Sequence, residues 1–224
     1  MYVFALFKIK TLKWDSKEKD FFYFLDLLHD KKGSVLDVGA NIGVMSYYLS
    51  KKLPNTLIHA FEPIPINIKI FQKIISKFQL KNIQLHPIAL GEYKGTAQMV
   101  LPKKNKVIFQ GLSHIKHKSI TEMNEGFEFE VEMDYLDNLF SEEKIQAIKI
   151  DVENFEYFVL NGGKHLLNFN KPIVYAELWE NENRLKCFEL LKSMDYITFV
   201  VENKKLVIYD ETIHKKQNFI FVTN

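Results

Sequence analysis

Two rhythms of apolar and polar positions take turns along this chain. Short apolar runs closed by Gly, Pro or an acid recur at 35–38, 57–61, 83–88, 147–151 and 173–178, which predicts buried strands. Between them the period lengthens to that of a helix. Residues 16–29 place Phe21, Phe24, Leu25 and Leu28 on one face, and 66–78 repeats Ile66, Ile70, Ile74 and Phe78. Further helices are predicted from Val44 to about Lys52, from about Glu156 to a Gly162-Gly163 stop, and over 183–194. Strands alternating with helices predict an open, mostly parallel α/β sheet. Runs at 197–201 and 218–222 bring the expected strand count to seven, the last returning antiparallel.

One stretch breaks the alternation. Residues 92–134 are too many for a structureless loop in a compact domain. Gly95–Leu101 alternates like a strand. So does Phe127–Met133, with Phe127, Phe129, Val131 and Met133 on one face and Glu128, Glu130 and Glu132 on the other. These two strands, a β-hairpin insertion between strands three and four, flank residues 102–126. That segment carries Lys103, Lys104, Lys106, Gly111, Ser113, His114 and His117. By position it hangs over the sheet as a lid or substrate loop.

The candidate chemistry sits at the strand ends. Val35-Leu36-Asp37-Val38-Gly39-Ala40-Asn41-Ile42-Gly43 reads as strand, glycine turn and helix, which forms a nucleotide-type cofactor site above the first strand. The glycines would let the backbone approach a ligand. A dinucleotide turn needs a second Gly where Asn41 stands, and Asp37 would repel a pyrophosphate. A ligand bearing an ammonium and a sulfonium, such as S-adenosylmethionine (SAM), fits the charge better. Glu62 follows Asp37 by 25 positions and ends the second strand before Pro63, where an acid accepts ribose hydroxyls. Asp151, Glu153 and Glu156 crowd the end of the fourth strand, with Asn154 suited to a positive φ. Glu177 ends the neighbouring strand, within reach of Asp151. Two such carboxylates could hold Mg²⁺ or share a proton, although no metal is predicted. Trp179 is a candidate wall for a sugar ring. His114 and His117 lack a third metal ligand nearby in sequence.

Together with Phe61-Glu62-Pro63, Ala89-Leu90-Gly91-Glu92 and Lys149-Ile150-Asp151-Val152-Glu153-Asn154-Phe155-Glu156, this pattern resembles the FkbM family of SAM-dependent methyltransferases from about residue 33 to 222. Asn154 departs from the glycine usual there. The resemblance implies a Rossmann-like class I methyltransferase fold and O-methylation of sugars, glycans or natural products. On that reading Asp37, Gly39, Ala40, Asn41, Gly43, Glu62, Pro63, Ala89 and Leu90 bind SAM. Asp151, Glu153, Glu177 and His114 compete for the role of general base.

Composition narrows the field a little. The 224 residues suit one domain, with 1–32 a helical N-terminal segment. Net charge is +2, and Arg184 is the only arginine among 30 basic residues, which weighs against a nucleic-acid acceptor. The lone Cys187 suits a reducing compartment, no apolar run is long enough to span a membrane, and residues 1–10 are too short for a signal peptide. The expectation is a cytoplasmic enzyme acting on a small molecule or glycan, with oligomeric state open. A nucleic-acid or protein methyltransferase and a non-catalytic SAM-binding module are the alternatives.

Overall fold

The computed structural model describes residues 1–104, 107–108, 110–120 and 123–223. Lys106 of the insertion lies outside them. Helix α1 (Tyr2–Thr11) leads through two short 3₁₀ turns into α2 (Lys19–Leu27). The cap of the second turn is Asp15, whose side chain accepts from the Lys17 N–H. Then come β1 (Ser34–Val38), α3 (Val44–Lys52), β2 (Ile58–Phe61), α4 (Pro65–Phe78) and β3 (Ile83–His86). The insertion contains β4 (Ala89–Leu90), β5 (Gly95–Lys104), β6 (Val107–Ile108), β7 (His114–Ile115) and β8 (Gly126–Asp134). The chain continues through α5 (Leu136–Leu139), β9 (Ile145–Ile150), α6 (Glu156–Asn161), α7 (Lys164–Asn170) and β10 (Ile173–Glu177). It ends with α8 (Glu182–Lys192), β11 (Tyr196–Glu202), β12 (Lys205–Ile208) and β13 (Asn218–Thr223).

The main sheet is mixed, in the order β12-β11-β13-β10-β9-β1-β2-β3. Strands β3, β2, β1, β9 and β10 are parallel, and β13 is antiparallel to both β10 and β11. Eight strands replace the expected seven. The addition is β12, which pairs antiparallel with β11 and places Lys205 opposite Glu202. The two residues between them, Asn203 and Lys204, have φ of 50° and 60°. Positive φ at both positions is the geometry of a tight hairpin turn, normally signalled by glycine, and Lys204 conceals it.

The insertion is not a simple hairpin either. Strands β5 and β8 pair antiparallel over Gly95–Pro102 and Gly126–Met133. They belong to a second sheet of five strands that includes β4, β6 and β7. Those three strands are two residues long, too short to show an alternation. The run at 83–88 leaves the main sheet after His86, at Pro87, which has no N–H to give a ladder, and the second sheet begins at Ala89.

Both faces of the main sheet are covered. Val35, Ala147 and Tyr175 pack with Phe21, Phe24 and Leu49 of α2 and α3. Their neighbours Leu36, Ile148 and Val174 face the other way, toward Leu160, Leu167 and Leu191 of α6, α7 and α8. This is the two-residue period of strands buried on both sides. It brings the chain-reversing segments after β1, β2, β9 and β10 to one edge, the ligand edge of an open α/β sheet.

Candidate active site

The turn after β1 is tight because of what it packs against. Gly39 has φ +76°, and a Cβ there would lie 1.9 Å from the Asp151 carbonyl oxygen. Gly43, at φ +82°, would place a Cβ 2.1 Å from the Phe71 ring. For Gly43, absent from both clefts described below, the expectation that it admits a ligand is corrected: it admits a helix α4 side chain. Gly39 admits the loop after β9 and lines both clefts as well. Asn41 holds φ 51°, and Ala40 is buried beside it.

Glu62 organises the turn from the tip of β2. Its carboxylate accepts from the Asn41 N–H at 2.8 Å, the Ile64 N–H at 2.9 Å and the Asn67 side-chain amide at 3.2 Å. Burial holds its proton more tightly than in water, and these donors oppose that shift. A carboxylate offers about four acceptor positions. Oε2 is bonded to Asn41 alone among these donors, and Glu62 lines the cleft described below.

Asp37 does not line the cleft. It is fully buried below the turn, with Lys149 Nζ 3.2 Å away and the Ser46 hydroxyl donating to its other oxygen. Its Oδ1 receives no well-aligned hydrogen bond, so proximity of charge holds that contact. Lys149, 2% exposed, also donates to the Gly39 carbonyl at 3.1 Å and lies 3.9 Å from Asp151. Burial alone would pull its ammonium down, but the charges of Asp37 and Asp151 outweigh this and hold it up. The sequence pattern carried Lys149 inside a motif without revealing it as the link between the strand ends.

Beyond Asp151 the chain turns through two positive-φ residues, Glu153 (54°) and Asn154 (73°). Only Asn154 was expected there. Its Oδ1 accepts from Asn181 at 2.9 Å, and its carbonyl from Asn183 at 3.0 Å. Asparagine therefore keeps the glycine-like backbone and ties it to the start of α8. Glu156 is buried and accepts from the Val152 and Asn154 N–H groups at 3.0 and 3.3 Å, which makes it a brace for the loop. Burial first, then neighbouring carboxylates, push Glu153 up to about 9 and Glu177 to about 7, while burial pushes Glu156 to about 8. The register pairs Ala176 with Ile150, so Glu177 emerges beside Asp151 as expected. Glu18, from the N-terminal 3₁₀ turn, joins the same electrostatic cluster. Sequence spacing could not reveal it, because it arrives from the far N-terminal part of the chain.

His114 is 3% exposed, with Nδ1 3.0 Å from the Leu112 carbonyl and Nε2 3.0 Å from Asn124 Oδ1. Both ring nitrogens are engaged within the insertion. Trp179 is half-buried, is absent from the cleft lining, and accepts from Arg184 through its carbonyl. Among the described residues no cluster of three or more His, Cys, Asp or Glu side chains could hold a metal.

Two clefts meet at this edge. The first runs from Glu62, Pro63 and Asn67 past Ala89 and Leu90 to Asp151 and Glu153, with Gly111, Ser113 and His114 on the insertion side. The second lies between the N-terminal helices and the Gly39–Met45 segment. Gly39, Asn41, Gly111 and Asp151 line both.

The model of the methyltransferase FkbM domain matches residues 37–203, a span running from Asp37 through the whole acidic loop. The chain belongs to the FkbM methyltransferase family. Methyltransferase 1 of Beauveria bassiana is 28% identical to this FkbM protein over 142 residues, which cover 57% of each chain. The FkbM protein thus spans little more than half the length of that curated relative. Among solved structures, Methyltransferase FkbM from Methylobacillus flagellatus superposes with a TM-score of 0.58 at 16% identity, covering 88% of this chain and 45% of that one. A Streptococcus mutans structure in complex with S-adenosylhomocysteine (SAH) gives a TM-score of 0.55 at 12% identity, covering 92% and 96%. These two likenesses establish the α/β methyltransferase fold.

Proposed function

We infer that this protein binds SAM in the first cleft and methylates a hydroxyl of a sugar, glycan or small natural product. The observation that carries the reading is Asp151, whose side chain is 33% exposed and lies where the cofactor cleft meets a second one. Family membership and the SAH-bound fold neighbour support it. The residues present fit the cofactor: Glu62 keeps acceptor capacity for ribose hydroxyls, Ala89 and Leu90 offer an apolar wall for a purine, and Gly39, Ala40 and Asn41 shape the turn between. Asp37 and Gly43 act from behind that turn.

When bound, SAM supplies an electrophilic methyl group on a sulfonium. The protein must hold a hydroxyl in line and remove its proton as the new bond forms. Asp151 is the group placed to accept it, being both partly exposed and steadied by Lys149. Glu177 and Glu153 hold their protons to higher pH; Glu153 lines the first cleft and can donate a hydrogen bond near neutrality, whereas Glu177 lines neither cleft and acts through its charge on Asp151. His114, bonded at both nitrogens, braces the insertion, which acts as a lid over the cofactor cleft. Incubation with methyl-labelled SAM and a panel of sugars and polyols, read by mass spectrometry, tests the assignment. Asp151→Asn should lower turnover by about 10²-fold or more while SAM still binds. Unchanged turnover would remove Asp151 from the mechanism.

A further inference from the structure

The second cleft has a polarity gradient that the cofactor does not use. Its inner end carries Lys149, 2% exposed, with Asp151 and Glu18. Its outer part is lined by Phe4, Leu12, Val44 and Met45, and Phe4 is 53% exposed. Val3 and Phe7, on the same helix as Phe4, are exposed too. Isolated exposed apolar residues are ordinary, but several on one helix that lines a cleft mark a binding surface.

We propose that this cleft is the acceptor site and that its occupant is an amphiphile, with a hydroxyl-bearing head at Asp151 and an apolar chain against α1 and the start of α3. The proposal rests on the methyltransferase reading above. An acceptor hydroxyl must reach Asp151 while the first cleft is filled, and the second cleft arrives at Asp151 from the other side of the Gly39–Asn41 turn. A bare sugar would satisfy the polar end and leave Phe4, Leu12 and Met45 unmatched. A chain of several methylenes covers them.

Alkyl glucosides of increasing chain length, from methyl to octyl and all below their micellar concentrations, are the probe. Affinity, read by calorimetry, should rise by roughly two- to fourfold per methylene buried. Phe4→Asp should weaken octyl glucoside binding about tenfold or more. Because Phe4 is half-exposed, thermal unfolding is expected to show the fold retained. Equal affinity for methyl and octyl glucoside would overturn the proposal, and that comparison needs no variant. So would undiminished binding by a folded Phe4→Asp. SAM calorimetry on the same preparation separates the readings: failure to bind SAM removes the methyltransferase function, whereas chain-independent glucoside affinity removes only the amphiphile.

Discussion

Replacing Lys149 by Met tests whether one buried ammonium holds the strand ends together. The wild-type side chain is within 3.2 Å of Asp37 and donates to the Gly39 carbonyl at 3.1 Å. Methionine fills similar volume but leaves Asp37, which is 0% exposed, as a buried charge with only Ser46 to bond it. Breaking a buried pair from one side costs about 3–5 kcal/mol. In a chain of this size that corresponds to a fall of roughly 6–20 °C in melting temperature. Urea denaturation should show a lower midpoint at unchanged slope, which is the mark of altered stability alone. The double variant Lys149→Met/Asp37→Asn removes both charges, while the amide oxygen introduced beside Ser46 can still accept from its hydroxyl. It should recover about 2 kcal/mol or more of the loss. A single variant that loses less than about 1 kcal/mol would refute the reasoning, as would a double variant no more stable than the single.

Other expectations are simpler to state. Burial raises Glu156 to about 8 and Glu153 to about 9 from 4.5. Over that window the folded chain binds more protons than the unfolded one, so their contribution is full below about pH 4.5 and is lost as pH rises through the folded values. Glu156→Gln keeps an oxygen for Val152 and Asn154, so its urea midpoint should match wild type at about pH 5 and exceed it at about pH 9. A midpoint lower than wild type at both would show that Glu156 acts through its charge. Glu62→Gln should weaken SAM binding by about tenfold, read by calorimetry, since a ribose hydroxyl then meets a poorer acceptor beside the Asn41 amide. Gly162→Ala should destabilise by about 1–3 kcal/mol in urea, because its Cβ would lie 2.0 Å from the Gly91 carbonyl oxygen; an unchanged midpoint would mean the two segments separate freely.

The sequence disclosed those parts of the fold whose signal is local. Val35–Val38 and Ala147–Ile150 are apolar apart from Asp37 and Lys149 because both sheet faces are covered, and such runs are conspicuous. Asp37, Glu62, Asp151 and Glu177 were locatable because each lies at or next to the end of a strand, and the parallel order gathers those ends at one edge. Gly162 shows the limit. It does end α6, but at φ −75° it needs no left-handed backbone; glycine is required there by the approach of Gly91. Similarly, nothing local marks Glu18 as a neighbour of Asp151 or Phe4 as lining the same cleft, because the packing of α1 and the following turns brings them there. The two-residue strands of the second sheet carry no periodicity, so the insertion was legible only in β5 and β8. Helices α5 and α7 were also missed: at four and seven residues they are too short to establish a helical period.

The central claim is that the cleft between Glu62 and Asp151 binds SAM. Calorimetric titration of the wild-type protein with SAM, alongside NAD as a dinucleotide control, tests it most directly. The account predicts saturable binding of SAM at one site in the micromolar range and none of NAD. Absence of SAM binding, or preference for NAD, would contradict it at the turn where Asn41 takes the place of a glycine.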